Sequence, residues 1–137
     1  SLLYPKTIEN PIASQPIPIY GDGSQKRTWI NVKDSCEAVL NVIEKGNSGS
    51  NYNFAGQDEL QNLDLVIQVC TILDDLRPLS SAQSYRSLIT FVEDRPGHDT
   101  RYAINSGKAI SELEWTTKIS FQRGLVETVD WYLDWLD

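Results

Sequence analysis

With 137 residues, 40% of them hydrophobic and 23% charged, the chain is long enough to bury a core. Twelve Lys+Arg against 19 Asp+Glu leave a formal net charge of −7, which argues against nucleic acid or an anionic membrane as main partner, since both require a positively charged face. No apolar run approaches the roughly 20 residues of a membrane span, and no basic-then-apolar leader opens the sequence, so it reads as soluble and cytoplasmic. Cys36 and Cys70 lie too far apart for a CxxC pair, and the single histidine, His98, has no ligand partners at zinc spacing. Neither a disulfide framework nor a metal site is expected.

In chain order, Pro5, Pro11, Pro16 and Pro18 each remove a backbone donor and fix φ, so any helix before Ile19 must be short. Residues 17–20 read as an edge strand that tolerates Pro18, Gly21-Asp22-Gly23 as a turn, and residues 28–32 as a second strand. Asp34 is the predicted N-cap of a helix to Lys45, stopped by Gly46, with Cys36, Val39, Leu40 and Ile43 on one apolar stripe. Residues 51–55 read as a short strand. Asn62 is the predicted N-cap of a second amphipathic helix, marked by Val66, Val69, Cys70 and Leu73 and ended by Pro78.

A polar loop over residues 80–86 precedes a buried strand at 88–92, and Arg95-Pro96-Gly97-His98 carries the signal of a type II turn. Residues 102–104 form a brief strand, and Asn105 or Ser106 caps a short helix to about Leu113. Ser120 opens the last helix, whose face carries Phe121, Leu125, Val129, Tyr132 and Leu136, and Trp115, Trp131 and Trp135 read as core. Strands alternating with helices predict a mixed α/β class.

The sequence contains no GxGxxG or GxxxxGK[ST] phosphate loop, no GxSxG elbow, and no Tyr followed four residues later by Lys. What remains is a set of anion-handling groups in loops: Arg27, Arg95, His98 and Arg101, whose guanidinium forks suit a phosphate. Each has an ordinary alternative. Arg27 also reads as half of a surface ion pair, His98 as a loop imidazole bonded to backbone or to Asp99, and Asn62 as the helix cap.

Several stretches taken together resemble the nucleotide-sugar dehydratases of the extended short-chain dehydrogenase/reductase superfamily, the dTDP-glucose 4,6-dehydratases in particular. The resemblance runs through Pro16-Ile-Pro-Ile-Tyr-Gly-Asp-Gly-Ser-Gln-Lys-Arg27, Trp29-Ile-Asn-Val-Lys-Asp34, Tyr52-Asn-Phe-Ala-Gly56 and Asn62-Leu-Asp-Leu-Val66. It continues through Ile89-Thr-Phe-Val-Glu-Asp-Arg-Pro-Gly-His-Asp99, Arg101-Tyr-Ala-Ile104 and Trp131-Tyr-Leu133. In that family an N-terminal Rossmann half binds NAD and supplies the catalytic side chains, while the smaller C-terminal part holds the nucleotide sugar.

The resemblance therefore implies a small mixed α/β domain over residues 1–137, the C-terminal part of an extended short-chain dehydrogenase/reductase without its Rossmann half. It implies no catalytic residue, metal or NAD site in this chain, although the full family enzyme uses NAD. By the same resemblance Pro18 and Tyr20 line the nucleoside pocket, Arg27 meets the diphosphate, Asn62 contacts the nucleotide end, and Arg95 with His98 closes over the phosphate and sugar. The implied partners are a nucleotide sugar, dTDP-glucose or a related one, and a Rossmann domain in cis or trans or a second copy. Alone, the chain is expected to be inactive. The alternatives are a non-enzymatic degenerate or interaction module and a domain of another nucleotide-sugar epimerase or decarboxylase.

Overall fold

In the computed structural model, which describes residues 3–136, the elements run α1 (Leu3–Ile12), β1 (Ile17–Tyr20), β2 (Lys26–Thr28), α2 (Val32–Lys45), β3 (Glu59–Gln61) and α3 (Asn62–Leu76). A 3-10 turn (Tyr85–Leu88), β4 (Ile89–Val92), β5 (Arg101–Tyr102), α4 (Gly107–Leu113) and α5 (Phe121–Leu136) complete them. The chain divides into two units, one of residues up to 25, 61–100 and 125 onward, the other of residues 26–60 and 101–124.

In the first unit β1 and β4 pair in parallel, Ile17 opposite Ile89 and Tyr20 opposite Val92. Pro18 therefore sits in a two-stranded ribbon, where each strand has a free edge and the missing N–H does little harm. Ile17 and Ile19 are buried, as are Ile8 on α1 and Leu65, Val66, Val69 and Leu73 on α3, and α1 packs against both β1 and α3. The helix periodicity of Val66, Val69, Cys70 and Leu73 is thus the core stripe expected of it. Burial pushes the Cys70 thiol up to about 12, the Asp74 carboxylate adding to the effect. Cys36, on α2, is exposed. A thiol reagent is expected to modify one cysteine in the folded chain and the second only after denaturation; prompt reaction of both would contradict the burial of Cys70.

The second unit has its own core, Ala38, Ala109, Leu113 and Trp115, with Ile30, Val42, Tyr52 and Phe54 packed against it. Phe54 meets Trp115 edge to face at 4.8 Å between centroids. Its strands order as β3-β2-β5, with β2 and β5 parallel, Lys26 opposite Arg101.

Several sequence expectations are corrected. The N-cap of α2 is Asn31, whose side chain accepts from the Lys33 N–H; Asp34 lies a turn further in and serves a different purpose. Cys36, Val39, Leu40 and Ile43 do fall on α2, but they face outward, Ile43 at 75% exposure, and Ala38 is the residue buried. Periodicity fixes which residues share a face, not what covers it. Trp131 and Trp135 are exposed too, stacked on each other with centroids 6.3 Å apart, whereas Trp115 is core as expected.

The strand expected over residues 28–32 is β2, which ends at Thr28 because α2 begins at Val32. Residues 51–55 form no strand, since they join no ladder among the described residues. β4 is not buried throughout: Phe91 is exposed on a ribbon only two strands wide. The loop before it includes the 3-10 turn, anchored by Asp74, which accepts from the Ser84 hydroxyl and the Tyr85 N–H. Among the described residues no helix is long and apolar enough to cross a membrane.

Candidate functional site

In the first unit, the segment from Tyr20 to Gln25 is where the chain leaves β1, and its chemistry depends on two glycines. Gly21 and Gly23 take φ of +60° and +76°, a left-handed conformation that favours glycine. At Gly23 a Cβ would also stand 2.7 Å from Leu63 Cβ. The tight turn lets the Gly23 and Gln25 carbonyls accept from the Leu63 and Asn62 N–H groups, which fastens the start of α3 to the turn. Asp22 steadies the turn by accepting from the Ser24 N–H, and its pKa is lowered by the Ser24 side chain first and by that backbone bond second.

Asn62 is not the cap of α3. Gln61 occupies that position without a side-chain cap bond, and Asn62 is the first helical residue. Its Oδ1 is buried with no hydrogen-bond partner, as is Oε1 of Gln25, a residue only 4% exposed. Buried acceptors without donors are uncommon in native folds, since each forfeits its hydration. Here two amide side chains on adjoining segments share that condition.

The second wall of the site is the turn after β4. Gly97 lies at φ +71° and the His98 N–H donates to the Arg95 carbonyl, 3.2 Å, the turn expected from Pro96-Gly97. The His98 ring is bonded neither to backbone nor to Asp99: Nδ1 lies 2.7 Å from Asp94 Oδ1. The Asp94 carboxylate also accepts from the Arg95 N–H and from Gln25 Nε2, at 2.9 and 3.0 Å. The His98 bond, followed by those from Arg95 and Gln25, holds the Asp94 pKa below its ordinary value against some desolvation. Tyr20 meets the His98 ring edge to face at 6.3 Å, and the Tyr20 carbonyl accepts from Gln25 Nε2.

Of the residues predicted from sequence, Pro18, Tyr20, Asn62, Arg95 and His98 thus lie in the first unit, on β1, on the start of α3 and on the turn after β4. Arg95 is exposed there. Arg27 lies in the second unit, on β2, with its guanidinium 5.8 Å from the Tyr102 ring centroid and donating to the Lys26 carbonyl. Arg101 is engaged by Glu59 through bonds of 2.9 to 3.1 Å, which hold the Glu59 pKa down and the Arg101 pKa up. Sequence reading missed Gln25 and Asp94 as site residues. Asp94 stands four residues before His98, the one signal available, and Gln25 has no local signal because Asp94, the side chain it bonds, is 69 residues away.

The second unit also holds an open cleft of about 450 Å³ lined by Gln57, Asn105, Ser106, Trp115 and Thr116 among others. Its Ser106 hydroxyl accepts from the Ala55 N–H and Asn105 Oδ1 accepts from the Gly107 N–H, so those groups hold local structure.

The profile of the GDP-mannose 4,6 dehydratase family matches residues 4–128. The chain belongs to this family. Among related proteins, the dTDP-glucose 4,6-dehydratase of Xanthomonas campestris pv. campestris is 45% identical over 131 residues, 96% of this chain and 37% of that protein. The dTDP-glucose 4,6-dehydratase of Salmonella typhimurium is 46% identical over 131 residues, 96% of this chain and 36% of that one. The chain thus spans little more than a third of the length of the curated relatives it matches.

Among solved structures, dTDP-glucose 4,6-dehydratase from Bacillus anthracis, in complex with NAD, superimposes with a TM-score of 0.83 at 38% identity over 96% of this chain and 39% of that one. UDP-glucose 4-epimerase from Thermotoga maritima, with UDP-glucose, gives a TM-score of 0.84 at 22% identity over 100% of this chain and 40% of that one, a likeness of fold. The mixed α/β architecture is that of part of the extended short-chain dehydrogenase/reductase epimerases and dehydratases.

The NAD bound by such a relative does not fit the described residues of this member of the GDP-mannose 4,6 dehydratase family. Three strands run into helices, β2 into α2 across residues 29–31, β3 directly into α3 and β5 into α4 across residues 103–106; the first two junctions contain no glycine, and the third leads only to Gly107, the first residue of a seven-residue helix. A dinucleotide cradle requires glycine there so that backbone can approach the pyrophosphate at the helix start. At α3 those N–H groups are already bonded to the Gly23 and Gln25 carbonyls.

Proposed function

We propose that this chain forms the nucleotide-sugar-binding portion of a dTDP-glucose 4,6-dehydratase-like enzyme and is inactive by itself. The observation that carries the reading is the pair of buried, unpartnered amide oxygens, Gln25 Oε1 and Asn62 Oδ1, bordered by the Asp94–His98 pair. Acceptors of this kind suit the N–H and O–H donors of a nucleobase, ribose or hexose. Tyr20 offers an aromatic face to the base, Pro18 lies beside it on β1, and Arg95 supplies a guanidinium fork for a phosphoryl oxygen. Arg27 is assigned to the diphosphate by family resemblance. The oxidation, loss of water and return of hydride would belong to the NAD-binding part of such an enzyme.

In this reading the same part covers the outward apolar face of α2, formed by Val32, Val39, Leu40 and Ile43. That face is too apolar to be left to water in a finished assembly, and the chain accounts for little more than a third of the length of its relatives. A cytoplasmic location goes with the same reading.

The test is titration of the chain with dTDP-glucose, with UDP-glucose as competitor. Saturable binding that weakens about tenfold in Arg95→Ala, as expected for loss of a charge-assisted contact, supports the proposal. A folded chain that shows no saturation up to millimolar ligand would overturn it, and preference for UDP-glucose would move the reading to another nucleotide-sugar epimerase or decarboxylase.

A further inference from the structure

We propose that Asp94 is a positioning residue: it holds His98 as the Nδ1–H tautomer, so that Nε2 is presented as an acceptor for a hydroxyl of the bound nucleotide sugar. The role deepens the nucleotide-sugar reading and rests on it. An ionised carboxylate only accepts hydrogen bonds, so across the 2.7 Å separation of Asp94 Oδ1 and His98 Nδ1 the proton must sit on Nδ1. A neutral imidazole with its proton there carries its lone pair on Nε2.

The carboxylate is itself held. Gln25 Nε2 donates to Oδ2 at 3.0 Å and the Arg95 N–H donates to Oδ1 at 2.9 Å, so Asp94 has little freedom to turn away. Gln25 is in turn fixed by burial and by its bond to the Tyr20 carbonyl at 3.2 Å. At Gly21 a Cβ would lie 3.2 Å from Asp94 Oδ2, so the glycine leaves room for the carboxylate. The His98 side chain, 7% exposed and meeting the Tyr20 ring at its edge, is not free to flip between its two nitrogens. The arrangement is that of an oriented imidazole, in which an outer partner selects the nitrogen that meets the ligand. A neutral Nε2 rewards a hydroxyl donor and gives nothing to a phosphoryl oxygen, which leaves the phosphate to the arginines.

His98 is the only histidine of the chain, so long-range 1H–15N correlation spectra of the uniformly labelled protein report its tautomer without ambiguity. The spectra are taken at a pH where the ring is neutral. The expected result is a pyrrole-type Nδ1 and a pyridine-type Nε2 in the wild type, reverting in Asp94→Ala toward the Nε2–H form that free imidazole favours. Affinity for dTDP-glucose should fall about tenfold in Asp94→Ala, and the double variant Asp94→Ala/His98→Ala should bind no worse than His98→Ala, because the two act as one.

An Nε2–H tautomer in the wild type would overturn the proposal whether or not any variant folds. So would an unchanged affinity in Asp94→Ala, or losses that add in the double variant. Absence of dTDP-glucose binding by the wild type would defeat the functional reading, while the wild-type tautomer would still support or overturn the pairing.

Discussion

Gly56→Ala is expected to destabilise the chain by about 3 kcal/mol or more, at the upper end of what overpacking produces. A Cβ at position 56 would overlap the Trp29 backbone carbonyl oxygen itself. Backbone cannot step aside as a flexible side chain can, so residues 29–31 would have to move away, and Ile30 would move with them from the core around Ala38, Leu113 and Trp115. Gly49→Ala is the matched control. Gly49 has a positive φ of +79° but nothing within 4 Å of a built Cβ, so only local strain of about 1 kcal/mol is expected. Thermal or urea denaturation of the two variants against wild type decides the matter: equal midpoints would mean that the close approach of residues 29 and 56 does not exist in solution.

Asp34→Ala is expected to destabilise by about 3 kcal/mol, with Asp34→Asn losing roughly half of that. Asp34 is 2% exposed, and its two oxygens accept from the Lys118 and Ile119 N–H groups at 3.0 and 3.1 Å. Alanine leaves both donors without that partner, and asparagine retains one acceptor oxygen. Hydrogen exchange supplies a readout beyond the melting point, since the Lys118 and Ile119 amides should lose protection selectively in the alanine variant. Protection unchanged at both amides would show that the carboxylate does not hold that segment.

The two cases also mark the boundary of what the sequence made legible. Gly56 stood in a recognisable family motif, but nothing local said that its hydrogen faces the Trp29 carbonyl. Asp34 was read as a helix cap because an acid before an apolar stripe favours that role; its actual partners are 84 and 85 residues away. Asn62 misled in the same manner. Its place at a helix start suggested a cap, yet the helix begins on it, and its oxygen is left buried without a partner. A cap is inferred from neighbours in sequence, whereas a buried acceptor without a donor is recognised only by what surrounds it in space.

The helices were read well because their signals are local. The stripe on α3, the Gly46 stop of α2, the Ser106–Asn105 start of α4 and the turn at Pro96-Gly97 each arise from residues within a few positions of one another. Short strands were read less well, since a strand exists only through its partner: β2 pairs with β5 across more than 70 residues, while residues 51–55 have the composition of a strand and no ladder.

By itself, then, the sequence determined the α/β class, the positions of α2 to α5, the family motif and five residues that fall in the first unit, because each depends on local periodicity, turn chemistry or a contiguous pattern. Only the tertiary structure decided that α2 turns Val39, Leu40 and Ile43 outward, that Asp94 rather than Asp99 holds His98, and that Gln25 joins the site. The first and last of these depend on segments far apart in the chain, and the second on which way the turn at residues 95–98 aims the imidazole, a choice between two nearby acids that the residue pattern leaves open.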